Sequence, residues 1–213
     1  MIKSFLLGAV LLFFSACGGG HQFTALSPNA NVVALGDSLT YGTGAADGED
    51  YVSLLSSSTG WSIINAGVPG NTSADGLERL DALLASHDNG EQKIDLLIVE
   101  LGGNDFLRHI PEPETVRNLR AILEKSKARN INTVLIAIPK FSPISAALGS
   151  LEDHPLYEKL AEQTNTPLVE NVFSDVLGKN SLKADPVHPN AEGYRIVASG
   201  LKQSLSDFGL LKH

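Results

Sequence analysis

From Asn31 to the C-terminus, short continuous apolar runs alternate with segments whose apolar residues recur every three or four positions. The runs read as buried strands, and the periodic segments as helices packed by one face. Residues 31–35, stopped by Gly36, form the first predicted strand, and residues 61–65 the second. Residues 95–101, ended by Gly102-Gly103, are the clearest strand; residues 133–138, stopped by Pro139, are a fourth, and residues 167–169 begin a short fifth. Helices are predicted over 50–57 with Tyr51, Leu54 and Leu55 inward, and over 72–86 with Leu77, Leu80, Leu83 and Leu84 inward. Residues 113–129 follow, with proline in the first turn and a stripe of Val116, Leu119, Ile122 and Leu123. Residues 155–163 are the next helix, and residues 190–208 the last, with Ile196, Val197, Leu201 and Leu205 inward.

Strand–helix alternation implies parallel pairing through right-handed crossovers, and unbroken apolar strands imply cover on both sheet faces. The expected fold is a three-layer α/β/α sandwich around a parallel sheet of about five strands. In such sheets ligands bind beyond the carboxyl ends of the strands. That places any chemistry in residues 36–41, 65–71 and 102–106, the segment after Pro139, and the loop before the last helix.

The first sixteen residues stand apart from this pattern. One cation, Lys3, precedes an apolar run from Phe5 to Phe14. The run is shorter than the about 20 residues a bilayer span needs, and it matches the apolar region of a secretory signal. Phe14-Ser15-Ala16-Cys17 ends on the chain's single cysteine and resembles the lipobox of bacterial lipoproteins, with Phe14 where leucine is usual. That resemblance implies cleavage before Cys17 and its lipidation. The organisation expected is a signal peptide over 1–16, a lipidated flexible tether over 17–29 and one domain over 30–213. The location implied is the periplasmic face of a bacterial membrane, the outer one by preference, or a secreted or periplasmic protein if Cys17 is incidental.

Composition narrows the partners. The 213 residues suit one domain with a sizeable core. A formal net charge of −8 disfavours nucleic acid, and Lys125, Lys127 and Arg129 read as one solvated helix face. The segment Gly42-x-Gly44-x-x-Asp47 lacks the third glycine of a dinucleotide loop, and there is no phosphate-binding Gly-x-x-x-x-Gly-Lys-Ser/Thr. Oligomeric state is not written in the pattern, and the compact fold is compatible with a monomer.

The loops at the predicted sheet edge hold the reactive groups. Gly36-Asp37-Ser38-Leu39 puts a serine on a strand-to-helix turn, where helix amides point toward it. Asp185-Pro186-Val187-His188-Pro189 puts a carboxylate three residues before a histidine. That carboxylate can accept from the imidazole Nδ1 and leave Nε2 free to take a hydroxyl proton, which a serine nucleophile requires. Asn104, in Gly102-Gly103-Asn104-Asp105, offers an amide donor at the same edge, and Gly67 an unobstructed backbone N–H. With the Ser38 amide these make three donors for an oxyanion. Each piece alone has an ordinary reading: an N-cap, a surface turn, a glycine turn. Asp185 and His188 could also ligate a metal, but no further His or Cys cluster completes such a site. The coincidence of all four at one edge carries the inference, and no metal or cofactor is called for. His109 reads as a surface residue near the Asn104 loop.

In order, Gly36-Asp37-Ser38-Leu39, Gly67, Gly103-Asn104-Asp105 and Asp185-x-x-His188 resemble the blocks of the SGNH (GDSL-type) hydrolase superfamily. Residues 99–105 followed by Leu107-Arg108, with Asn71-Thr72-Ser73 upstream, are similar to its bacterial thioesterase, lysophospholipase and arylesterase branch. The resemblance implies Ser38 as nucleophile, His188 as base and Asp185 as its orienter. It implies Ser38, Gly67 and Asn104 as the oxyanion hole, and a small acyl ester or thioester as substrate. Phe106 and Leu107, in the segment that resembles a substrate-contacting loop, and Phe141 and Ile144, in the loop after the fourth strand, are the candidate acyl contacts. Two alternatives stay open: a carbohydrate O-acetylesterase with the same chemistry, and a non-catalytic lipoprotein that keeps the fold.

Overall fold

A computed structural model describes residues 23–87, 93–140 and 150–211. The expected signal peptide, Cys17, and the acyl-contact candidates Phe141 and Ile144 lie outside the described residues.

Five parallel strands form the sheet: β1 (Asn31–Gly36), β2 (Ser62–Gly67), β3 (Leu96–Glu100), β4 (Asn132–Ile136) and β5 (Leu168–Val169). Their order is β2-β1-β3-β4-β5. Every residue of β3 is buried, as the unbroken apolar run requires for a central strand covered on both faces. The helices are α1 (Ser38–Tyr41), α2 (Tyr51–Thr59), α3 (Ser73–His87), α4 (Gly103–Leu107), α5 (Glu112–Ala128), α6 (Leu156–Thr164), α7 (Ser174–Leu177) and α8 (Ala191–Asp207). α2 packs on α8, while α3, α5 and α6 pack in series, so the sheet lies between two helical layers.

The chain leaves β1 toward β2 and then returns to the other side of β1 for β3. The C-terminal ends of β1 and β3, where Gly36 stands beside Glu100, are therefore the switch point at which such sheets open a crevice.

Local chemistry explains the elements. α5 starts with Pro113 in its first turn, carries Glu112 and Glu114 there, and ends with Lys125 and Lys127, which suits the helix dipole. Lys125 and Arg129 pair with Asp81 of α3 across the surface. α8 is capped by Asn190, whose side chain accepts from Gly193 N at 3.0 Å.

Two expectations need correction. Ile196 is 40% exposed; the buried stripe of α8 is Tyr194, Val197, Ala198, Leu201 and Leu205. Ile196 sits one residue, about 100°, from Val197 and so faces water. The tether does not run free to residue 29. Phe23 and Leu26 pack against the core, and their N–H groups donate to the carbonyls of Phe208 and Leu210, each at 2.9 Å. Spaced three apart, these two apolar residues bind the segment to the end of the last helix.

Candidate active site

Ser38 and His188, 150 positions apart in sequence, meet above the β1/β3 switch point. Ser38 Oγ lies 2.9 Å from His188 Nε2, and His188 Nδ1 lies 2.7 Å from Asp185 Oδ2. The local chain builds the second contact. Asp185 Oδ1 accepts from Val187 N and His188 N, each at 2.9 Å, which winds residues 185–188 into a tight turn and turns the other oxygen to the ring. Partial burial pushes the Asp185 carboxyl up, but its bonds to His188 and Val187 outweigh this and hold it below the ordinary carboxylate value. An ionised Asp185 accepts from Nδ1–H, which leaves Nε2 as the acceptor facing Ser38.

α1 is a single turn, so its amides add little collective field at Ser38. The useful donor there is the backbone N–H of Ser38 itself, which has no acceptor among the described residues. Asp37 caps the turn, accepting from Leu39 N at 3.0 Å. Its other oxygen accepts from Asn104 Nδ2 at 3.0 Å, and Asn104 Nδ2 also donates to the Asn71 carbonyl at 2.9 Å. Two acceptors around one terminal atom settle which end of the amide is nitrogen. Burial raises the Asp37 carboxyl to about 6, against the pull of Leu39 N–H and Asn104.

Gly67 does not take its expected place. Its N–H donates to Asn65 Oδ1 at 2.9 Å, and it does not line the cavity beside Ser38. A Cβ there would meet Tyr41 N at 2.2 Å, so a glycine is needed for β2 to pass against α1. Gly70, three residues on, lines the cavity, and its N–H has no acceptor among the described residues. Gly67 ends the strand and Gly70 follows it by three residues, and only packing tells their roles apart.

The cavity has a volume of about 260 Å³. Ser38, Asn104 and His188 contribute to its lining, and Phe106, Leu107, Ile138, Pro139, Leu151 and Leu177 form apolar wall. Phe106 is set by stacking on His154, with ring centroids 4.5 Å apart, and by an edge contact with Tyr157. Leu107 is 47% exposed at the mouth. His109 is exposed and does not line the cavity. Among the described residues, no group of three or more His, Cys, Asp or Glu side chains is placed to hold a metal.

Beneath Ser38 lies a residue that the sequence motifs do not single out. Glu100, fully buried at the end of β3, accepts from Thr40 Oγ1 at 2.7 Å, Thr40 N at 3.1 Å and Asp37 N at 3.4 Å. Burial, with the neighbouring Asp37 charge, pushes its carboxyl far above the usual range. A lone glutamate in the apolar run 96–101 is the one signal of it in the sequence.

Comparison with known proteins places the chain among ester hydrolases. The family described as GDSL-like Lipase/Acylhydrolase matches residues 34–196. The chain is 30% identical over 187 residues to Esterase TesA of Pseudomonas aeruginosa, which covers 84% of this chain and 89% of that protein. It is 32% identical over 182 residues to Thioesterase 1/protease 1/lysophospholipase L1 of Escherichia coli, covering 82% of each. Among solved structures, the psychrotrophic esterase EstA from Pseudoalteromonas sp., in a form inhibited by monoethylphosphonate, matches with a TM-score of 0.72 and 29% identity. That match covers 84% of this chain and 98% of that one.

Proposed function

The chain belongs to the GDSL-like lipase/acylhydrolase family and is a hydrolase of ester bonds, and we propose that it works through an acyl-enzyme on Ser38. The observation that carries this reading is the unbroken contact from Asp185 through His188 to Ser38 Oγ.

His188 Nε2 takes the Ser38 proton as Oγ attacks the substrate carbonyl. The tetrahedral oxyanion is held by the N–H groups of Ser38 and Gly70 and by Asn104 Nδ2. Asn104 keeps one amide proton on Asp37, the stronger acceptor, and shares with the oxyanion the one it now gives to the Asn71 carbonyl. Each such donor is worth roughly a hundred- to thousandfold in rate. His188 then protonates the leaving alcohol or thiol, and water attacks the acyl-enzyme by the same route in reverse. No step calls for a metal or cofactor.

The acyl chain lies along the wall of Phe106, Leu107, Ile138 and Leu177. A cavity of about 260 Å³ is smaller than most ligand pockets, which supports a small ester or thioester with a short acyl group. The same apolar wall offers little to a sugar, which disfavours an O-acetylesterase of carbohydrates. A complete Ser–His–Asp contact disfavours a non-catalytic lipoprotein. The test is Ser38→Ala: folded variant should lose hydrolysis of p-nitrophenyl butyrate, and retained turnover would refute the assignment.

For the remainder of the chain, residues 1–16 act as a signal peptide and Cys17 carries lipid, with the domain on the periplasmic face of a bacterial membrane. What supports this is the leader's pattern and the position of the single cysteine. Phe23 is already docked on the domain, so any tether ends before it. Cys17→Ser should move the protein from the membrane to the soluble fraction; an unchanged distribution would count against lipidation.

A further inference from the structure

Arg79 of α3 is a half-buried cation that makes no ion pair with a described residue. Its guanidinium is committed to three neutral acceptors. Nη2 donates to the Gly36 carbonyl at 2.9 Å and the Ala66 carbonyl at 2.7 Å, across the C-terminal ends of β1 and β2. Nε donates to Asn71 Oδ1 at 2.9 Å. Burial lowers the Arg79 pKa, but an arginine stays charged, so a desolvated cation is being held for its shape. A planar fork that spans two strand ends leaves the third acceptor little freedom.

That third acceptor leads to the chemistry. The Asn71 carbonyl receives Asn104 Nδ2 at 2.9 Å. The preceding residue is Gly70, whose own carbonyl is gripped by Arg108 Nη2 at 2.7 Å. The loop from β2 to α3 is held further along as well, by Asp75 on Thr72 and Asp105 on Ser73. Between Val68 and Asn71, however, the side-chain tie back to the sheet is Arg79. Without it the Asn71 carbonyl and the Gly70–Asn71 peptide would be positioned by the exposed Arg108 and two backbone bonds, Val68 N to the Gly36 carbonyl at 3.1 Å and the turn bond Asn71 N to Val68 O.

We propose that Arg79 is a positioning residue for the oxyanion hole: it clamps Asn71 to the ends of β1 and β2 and so places both the Asn104 amide and the Gly70 N–H. The proposal rests on the oxyanion-hole assignment above. Arg79 itself touches no reacting atom. Its removal therefore weakens binding of the transition state and leaves ground-state binding nearly intact.

The experiment compares Arg79→Met, Arg79→Lys, Asn71→Ala, Asn71→Asp and the Arg79→Met/Asn71→Ala double variant, each checked by thermal melting. Readouts are kcat and KM for p-nitrophenyl butyrate, and the rate of Ser38 phosphonylation by a p-nitrophenyl alkylphosphonate, which builds a tetrahedral oxyanion. Misplacement by about 1 Å costs on the order of a hundredfold. Arg79→Met should accordingly lower kcat by about thirty- to a hundredfold with KM within about threefold, and slow phosphonylation in parallel. Arg79→Lys, which keeps the charge without the fork, should lose nearly as much. Asn71→Ala should behave like Arg79→Met, and the double variant should be no worse than the poorer single, because both cut one link. Asn71→Asp, which keeps an acceptor for Nε, should recover most of the rate. Should Arg79→Met not fold, Asn71→Ala against Asn71→Asp decides the same point on an intact scaffold.

A lowered melting temperature with kcat unchanged would overturn the proposal, as would additive losses in the double variant or a rise in KM alone. If Ser38→Ala is inactive while the Arg79 variants are normal, the role given to Arg79 falls and the nucleophile stands. An active Ser38→Ala would remove the underlying assignment instead.

Discussion

Replacing Gly44 by alanine should disable the enzyme through His188, which the new methyl group does not need to touch hard. Gly44 has φ of +102°, and a Cβ there would lie 2.3 Å from the Pro189 carbonyl oxygen, 2.9 Å from Ala184 Cβ and 3.4 Å from His188 Cβ. Carbon–oxygen contact is ordinary only about 1 Å farther out, so one side must give. The Gly44 side is well held: the Thr43 carbonyl accepts from Tyr194 Oη at 2.9 Å, and Thr43 N donates to the Ser38 carbonyl at 3.0 Å. Residues 184–188 form a turn, exposed at 184–186, that is closed by Ala184 N to the His188 carbonyl at 3.0 Å. The turn therefore yields, carrying His188 Nε2 away from a serine now 2.9 Å distant. A shift of about 1 Å in a reacting group costs on the order of a hundredfold in kcat. Gly48 supplies the control, because it has φ of +85° and no atom within 4 Å of where a Cβ would stand. Both alanines should lose about 1–2 kcal/mol of stability to the left-handed backbone, and Gly44→Ala more than that for its clash with the Pro189 carbonyl, read by urea unfolding. Only Gly44→Ala should lose turnover of p-nitrophenyl butyrate. Equal turnover in the two variants, or an equal loss in both, would refute the steric route through the His188 turn.

Asp37 predicts a pH effect on stability. Its folded carboxyl titrates near 6 against an ordinary value of 3.8, so ionising it inside the protein costs about 3 kcal/mol, a contribution present in full below pH 4 and lost as pH rises through 6. Asp37→Asn should therefore gain stability relative to wild type between pH 4 and 7 in urea titrations, while losing rate because its amide opposes Asn104 Nδ2; a stability difference that does not change with pH would contradict the burial argument. Leu177 is buried in the cavity wall, and the proposed path of the acyl chain makes it a limit on chain length. Leu177→Ala removes three carbons, and with about 0.8 kcal/mol per buried methylene, the hexanoate-to-butyrate ratio of kcat/KM should rise by up to about fourfold per methylene admitted. An unchanged ratio across p-nitrophenyl esters would move the acyl chain elsewhere.

The sequence is most legible where structure is local. An apolar run such as 96–100 cannot be a surface helix, and Leu119, Ile122 and Leu123 mark one helical face, so strands and long helices follow from spacing alone. Asp185 and His188 are readable for the same reason, because a three-residue separation closes its own turn. Reading fails where the answer depends on a distant partner. Gly67 and Gly70 are the same letter at the end of the same strand; only the approach of β2 to Tyr41 N shows that the first is a packing glycine. Phe23 and Leu26 look like linker because their partners, Phe208 and Leu210, lie at the other end of the chain. Arg79 looks like a solvated helix residue, since its acceptors include backbone carbonyls that no sequence pattern displays.

Glu100 shows why the Ser38 turn needs an acid below it. A one-turn helix leaves nearly all of its N–H groups without helical acceptors, and α1 stands on buried strand ends where water cannot serve them. Glu100 Oε2 takes the Thr40 and Asp37 amides and the Thr40 hydroxyl together, which seats the turn directly on β3. Oε1 is buried with no partner among the described residues. A bare oxygen on an ionised, buried carboxylate would cost several kcal/mol, and a second charge on Asp37 close by makes it worse. A proton on Oε1 removes the charge and its repulsion with Asp37 and leaves Oε2 free to accept, the direction in which burial and the Asp37 charge push this carboxyl. The acid is thus suited to its place as a neutral acceptor. Asp37 above it is the member of the pair left to ionise, and its charge is the one that holds the Asn104 amide at the proposed oxyanion site.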